Sequence, residues 1–196
     1  MYEMNSQVLA APLPRSSRKR SLLIALLAVL AGAAIAAGAL VAARGDDSPA
    51  PQHATTLHGP GFAIAYPAGW APVKADALAR MPGHPVAVIR RRDGKGTVVV
   101  RRKGAPKDQS LKALTRDLNK GLAKRFPDFR FVSARVAHTR AGNTFLYTFL
   151  RTEQKTAQSI ALVRVGQANF TLDAVATSGD VRGAREVAAI VRSFGP

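Results

Sequence analysis

Ten cations are spaced as if to present charge to an anionic partner. Arg90, Arg91 and Arg92 form one run, and Arg101, Arg102 and Lys103 form a second. Lys112, Arg116, Lys120 and Lys124 then recur at four-residue steps. The chemistry open to such groups is electrostatic binding of carboxylates or phosphates, not bond-making. The residue patterns of catalysis are missing: there is no G-x-S-x-G, no H-E-x-x-H and no phosphate-binding loop. Beyond residue 43 the only glutamates are Glu153 and Glu186, a poor supply for a paired-carboxylate hydrolase. His53, His58, His84 and His138 are the only histidines, with no cysteine anywhere to complete a metal site. No enzyme activity, cofactor or metal is therefore expected. Trp70, Tyr66, Phe145, Tyr147 and Phe149 read as core rather than as cofactor-stacking rings.

The elements that must carry these cations follow from periodicity. Phe62 to Tyr66 alternates as a strand and stops at Pro67. Val86–Arg92 and Thr97–Lys103 flank Asp93-Gly94-Lys95-Gly96, a strong hairpin signal because its glycines accept positive φ. Successive strand residues face opposite ways, so the consecutive arginines cannot all point to one side. Ser110 caps a helix whose Leu111, Leu114, Leu118, Leu122 and Phe126 share a face until Pro127 ends it. Lys112, Arg116, Lys120 and Lys124 lie together on that helix and repel one another, with Asp117 as relief. Three or four strands follow, at 130–137, 144–151, 159–165 and 169–176, and 181–194 closes as a helix. Strand, hairpin, helix, meander and helix give an α+β fold: one antiparallel sheet covered by helices. The plainer account of the charge runs is a solvated surface that resists edge aggregation.

Ahead of this domain, Arg15, Arg18, Lys19 and Arg20 meet an uncharged run of 23 residues, 21–43. At about 1.5 Å per residue that run is long enough to span a membrane. Between residues 44 and 63 the only Lys or Arg is Arg44, so the positive-inside rule puts 1–20 in the cytoplasm and the bulk of the chain outside. A secretory signal cleaved near Ala43 is the alternative, and it delivers the same domain to the same side. Residues 44–57, with Pro49 and Pro51, read as a linker, and 58–196 as one extracytoplasmic domain.

The whole chain carries 29 Lys/Arg against 12 Asp/Glu, a net +17. Only four of those cations and one acid, Glu3, precede the apolar run, so the remainder still carries +14. The lack of cysteine and the abundance of Ala, Arg and Val point to a bacterium with a GC-rich genome. Outside a bacterial membrane, the anionic partners are lipid headgroups, wall polymers and acidic proteins; nucleic acid is not expected there.

Gly61-Phe62-Ala63-Ile64-Ala65-Tyr66-Pro67-Ala68-Gly69-Trp70 resembles the opening strand of the PsbP-like α/β/α sandwich domains, F-x-I-x-Y-P-x-G-W. It also resembles the related actinobacterial LpqN-type envelope proteins. The helix from Ser110, the Tyr147 and Phe149 strand and the closing Val191-Arg192-Ser193-Phe194 fit the same order over about residues 58–196. The resemblance implies a domain that binds or scaffolds other proteins and has no shared catalytic residues. The lipoprotein relatives carry an anchoring cysteine, where this chain has its apolar run. The expectation is a single-pass envelope protein whose basic surface binds an acidic protein or anionic component. The alternative is an assembly or stability factor acting through apolar contacts.

Overall fold

The computed structural model describes residues 54–103 and 110–196. In chain order the first elements are β1 Thr55–Gly59, β2 Phe62–Tyr66, β3 Trp70–Pro72, α1 Ala75–Ala79, β4 Ala87–Arg91 and β5 Gly96–Lys103. They are followed by α2 Leu111–Arg125, β6 Phe129–Thr139, β7 Gly142–Arg151, β8 Thr156–Val165, β9 Ala168–Thr177 and α3 Val181–Arg192. The expected tail, the apolar run 21–43 and most of the linker lie outside the described residues, as does His53. Among the described residues no helix is long and apolar enough to cross a membrane.

A seven-stranded antiparallel sheet runs in the order β3-β4-β5-β9-β8-β7-β6, beside a separate β1-β2 hairpin. The Asp93–Gly96 turn forms as its residues dictate. Gly94 takes φ 75°, and the Asp93 carboxylate accepts a hydrogen bond from the Lys95 N–H. Pairing Val98 with Ala174 and Val100 with Leu172 then fixes which side chains share a face. Val98, Val100, Phe170, Leu172, Ala161 and Val163 turn to one side and are buried there under α3 and β2.

Three rings seal that side. Phe194 stacks on Phe62 at 5.1 Å, and Phe170 meets both edge-on at 5.3 and 5.4 Å. The chain end is held beside them by backbone pairing: Ala63 N–H donates to the Gly195 carbonyl at 2.6 Å, and Gly195 returns the bond at 3.1 Å. Ser193 Oγ accepts from the Ala65 N–H at 2.8 Å. The free edge of β2 is thereby closed by the last residues of the chain.

The opposite face is covered differently. Ser110 Oγ accepts from the Ala113 N–H, which caps α2 as its residue type predicts, and the helix ends at Phe126 ahead of Pro127. No residue of α2 is fully buried. Leu114, Leu118 and Leu122 are half-buried and Leu111 is exposed, on a helix that packs against β6. Its middle is tied to the sheet by Tyr147, whose hydroxyl donates to Asn119 Oδ1 at 2.5 Å. A helix on each face matches the expected layered α+β arrangement, but the two helices are unequally seated.

Three elements were not read from the sequence. β1 starts at Thr55, inside the stretch read as linker, because its pairing with β2 orders a five-residue segment whose one large apolar residue, Leu57, gives no strand pattern of its own. β3 and α1 span three and five residues, too short for any periodicity to register.

Two outcomes follow from the unequal faces. Phe194→Ala should lower unfolding free energy by about 3–5 kcal/mol in denaturant titration, since it empties a site at the centre of the ring cluster. Amide hydrogen exchange should find α2 opening well before β5, β8 and β9, because few of its contacts are fully buried.

Candidate functional site

The structure separates the ten cations into those already matched and those left to solvent. Arg91 turns toward α3 and is enclosed by carboxylates. Its Nη1 donates to Asp180 Oδ2 at 2.5 Å, and its Nε lies 3.3 Å from Asp93 and 3.6 Å from Glu186. Glu186 also accepts from the indole N–H of the buried Trp70 at 2.8 Å and from Arg182 one helical turn earlier. Asp180 caps α3, its Oδ1 accepting from the Gly183 N–H at 2.8 Å. A Cβ at Gly183 would lie 2.6 Å from both the Arg91 guanidinium and the Asp180 carboxylate, so any larger residue there would displace the two paired groups. This knot ties the hairpin and the β3 turn to the start of the last helix, which makes Arg91 a structural residue.

Arg101 lies on the other face and pairs with Asp173 of the neighbouring strand β9. Burial pushes the Asp173 carboxyl up, and Arg101, Lys103 and Arg125 pull against it. Arg90, Arg92, Arg102 and Lys103 are exposed. Register places Arg90 and Lys103 on the α2 side with Arg101, while Arg102 points to the α3 side. On α2 all four cations, Lys112, Arg116, Lys120 and Lys124, are exposed. Of these, Arg116 makes an ion pair with the adjacent Asp117, itself at the surface.

Hairpin and helix do not form one compact patch. Three strands, β9, β8 and β7, separate β5 from β6. At about 4.8 Å per strand this places the β5 cations roughly 19 Å from β6 and those of β4 a further strand away.

Below the N-terminal half of α2 the structure adds a feature that the sequence did not announce. A cleft of about 500 Å³ opens between the helix and β6. Leu111, Lys112, Thr115, Arg116 and Asn119 line it from the helix, and Phe131 and Ala134 from the strand. Leu111, Phe131 and Val136 are the exposed large apolar residues of the described structure, at 42%, 45% and 56%. All three lie on or beside this cleft's side of the sheet. The sequence signal for it was weak, because a bulge between Phe131 and Ser133 shifts the alternation within β6.

At the far end of α2 a second charged knot forms. The Asp128 carboxylate accepts from Arg151 Nε at 2.5 Å and from the Glu153 N–H at 3.1 Å. The Arg151 guanidinium also stacks 3.9 Å over the Phe126 ring. His58, His84 and His138 are exposed and lie on separate elements; among the described residues no His, Asp or Glu group is arranged to hold a metal. Tyr66, Trp70, Tyr147 and Phe149 are buried, and Phe145 is half-buried. Burial pushes the Tyr147 hydroxyl up to about 12, so it stays a protonated donor at neutral pH.

No protein-family model and no curated protein matches the chain. Solved structures do. Cyanobacterial PsbP (CyanoP) from Synechocystis sp. PCC 6803 is 14% identical, with 76% of this chain and 95% of that one covered, at a TM-score of 0.50. The Ran-binding protein Mog1p of Saccharomyces cerevisiae is 14% identical over 72% and 94%, at 0.51. LpqN of Mycobacterium tuberculosis, described as involved in cell envelope biogenesis, is 15% identical over 74% and 91%, at 0.49. The likeness to CyanoP and Mog1p is one of fold: the chain has the PsbP-like fold.

The two knots make stability sensitive to acid. The Gly183 N–H and Arg91 hold the Asp180 carboxyl below the usual carboxylate range, outweighing the opposing effect of burial. Burial opposes the same shift at Asp128, but Arg151 and the Glu153 N–H prevail and hold it low. A carboxyl held low in the folded state stabilises it above the ordinary value near about 4, and that contribution disappears as pH falls through the folded value. Asp180→Asn keeps an acceptor for the cap and removes the charge. Melting temperature measured from neutral pH downward should show a deficit for this variant that shrinks as Asp180 protonates in the parent. A deficit independent of pH would contradict the assignment.

Proposed function

We propose that the chain is a membrane-anchored, extracytoplasmic binding module that presents a cationic surface to an acidic protein or another anionic component of the cell envelope. The observation that carries this reading is the sorting of charge. Arg91, Arg101 and Arg151 have well-placed carboxylates, whereas Lys112, Arg116, Lys120 and Lys124 stand exposed with only Asp117 paired among them. Helix stability favours acidic residues at such four-residue intervals, so an uninterrupted cationic stripe is held against local preference. The anchor rests on the apolar run and its flanking charges. Mog1p, with the same fold, is a Ran-binding protein, which fits a protein-binding use of this scaffold.

A second reading draws on the exposed Leu111, Phe131 and Val136. In it the domain is an assembly or stability factor for a membrane complex, held mainly by apolar contacts. Salt dependence separates the two, because screening weakens exposed charge pairs and leaves apolar contacts intact.

The test uses the full-length chain and immobilised poly-glutamate. Parent protein should be retained at about 0.05 M salt and released by about 0.5 M. The variant combining Arg90→Glu, Arg92→Glu, Lys112→Glu and Arg116→Glu should lose roughly tenfold or more in retention. A control variant with Lys74, Arg80, Arg164 and Arg185 changed to Glu has the same net charge and should behave like the parent. Equal loss in both variants would reduce the effect to net charge and reject the surface.

A further inference from the structure

The geometry points to the outer edge of β6, with the cleft beneath α2, as a seat for an extended acidic segment of a partner protein, added as a further strand of the sheet. This rests on the cationic-surface reading above and narrows it to one site and one mode.

β6 is the terminal strand of the sheet, and no described strand lies in register on its outer side. It is a long edge, eleven residues against three for β3 at the opposite end. Beyond the bulge, Ser133 to Thr139 pairs with β7 without interruption, so its outward N–H and C=O groups alternate regularly. Such an edge is a template for another chain unless it is covered or blocked. The bulge interrupts its first third alone.

What an added strand would meet is set by register. Phe131, Ala134 and Val136 lie opposite Phe149, Tyr147 and Phe145, so all three face the α2 side. Alternate side chains of a strand laid along β6 would point the same way. The central ones enter the cleft between Phe131 and Leu111, where an apolar or aromatic group replaces water. Neighbours two residues away emerge at the rim, where Lys112 and Arg116 stand. A Glu or Asp there meets both cations, which lie one helical turn, about 6 Å, apart. Backbone pairing thus gives affinity, the cleft selects an apolar centre, and the rim selects acidic flanks.

Charge decides the occupant. A second copy of the chain would bring another net +14 from residues 44–196, including its own Lys112 and Arg116, against the same rim. An acidic partner removes that repulsion. The site therefore fits a heterologous acidic strand rather than a β6-to-β6 dimer.

The probe is a fluorescent heptapeptide with Phe at its centre, Glu two residues to either side and Thr elsewhere. Binding to the full-length chain in detergent is read by anisotropy, and poly-glutamate retention is measured on the same preparation. N-methylation of alternate peptide amides in one frame should weaken binding by roughly tenfold or more, while the other frame stays within about twofold. Phe131→Asp, and Lys112→Glu with Arg116→Glu, should each weaken the unmethylated peptide by roughly tenfold. Phe131 is 45% exposed but its ring lies 5.4 Å from that of the buried Tyr147, so a parent-like melting curve is required of that variant. Binding indifferent to the methylation frame overturns strand addition, and if poly-glutamate is still retained the cationic-surface reading survives alone. Loss of both signals in the parent rejects both. Self-association that competes with the peptide overturns the choice of occupant.

Discussion

Phe194 closing over Phe62 and Phe170 is the contact on which the rest of the architecture depends. It is made by the end of the chain, the opening strand and the central strand β9 together, so three distant segments become one layer. The backbone bridge between Ala63 and Gly195 fixes its orientation, and the Arg91 knot fixes the other end of α3. With both ends pinned, α3 buries five of its residues against the sheet. Stability sits there, where packing is dense and the rings cannot be shortened without leaving a void.

The opposite face is relieved of that task and is organised for exposure. α2 is amphipathic but shallowly seated, held by caps, by the Tyr147–Asn119 bond and by Arg151 stacked on Phe126. A helix placed this way leaves space beneath its first turns and keeps long cationic side chains at the rim. The same sheet therefore has a sealed side that supplies cohesion and an open side with apolar floor and basic margin. Partner surfaces elsewhere combine these features: a desolvated apolar centre within a polar or charged rim.

Much of the frame was legible because local rules and tertiary demands agree. Asp93-Gly94 needed a turn and forms one; Ser110 and Pro127 bracket α2; the apolar period of 181–194 is buried as expected. The site was legible only in outline. Consecutive strand arginines had to diverge, and they do, but nothing in the sequence said that Arg91 would find Asp180 and Glu186, separated from it by 89 and 95 positions. Which cations are spent internally is decided by long-range pairing. The cleft was hidden for a different reason: the β6 bulge breaks the period-two pattern, so Phe131 and Val136 do not read as one face.

Internal pairing also explains why the free charge gathers where it does. Acidic residues are scarce, and the carboxylates that hold the fold are Asp128 and Asp173 on the α2 side and Asp180 and Glu186 at the head of α3. Each is engaged by an arginine, whose planar fork suits such contacts better than a lysine. The helix stripe is mostly lysine, the residue that keeps its hydration and extends into solvent. The carboxylates that hold the fold are thus taken by arginines, while Arg90, Arg92, Arg102 and Arg116 stay at the surface with the lysines, and Lys112 and Arg116 stand at the cleft. A partner approaching that side meets charge before it meets apolar surface, so attraction would act at a distance and shape would select at contact.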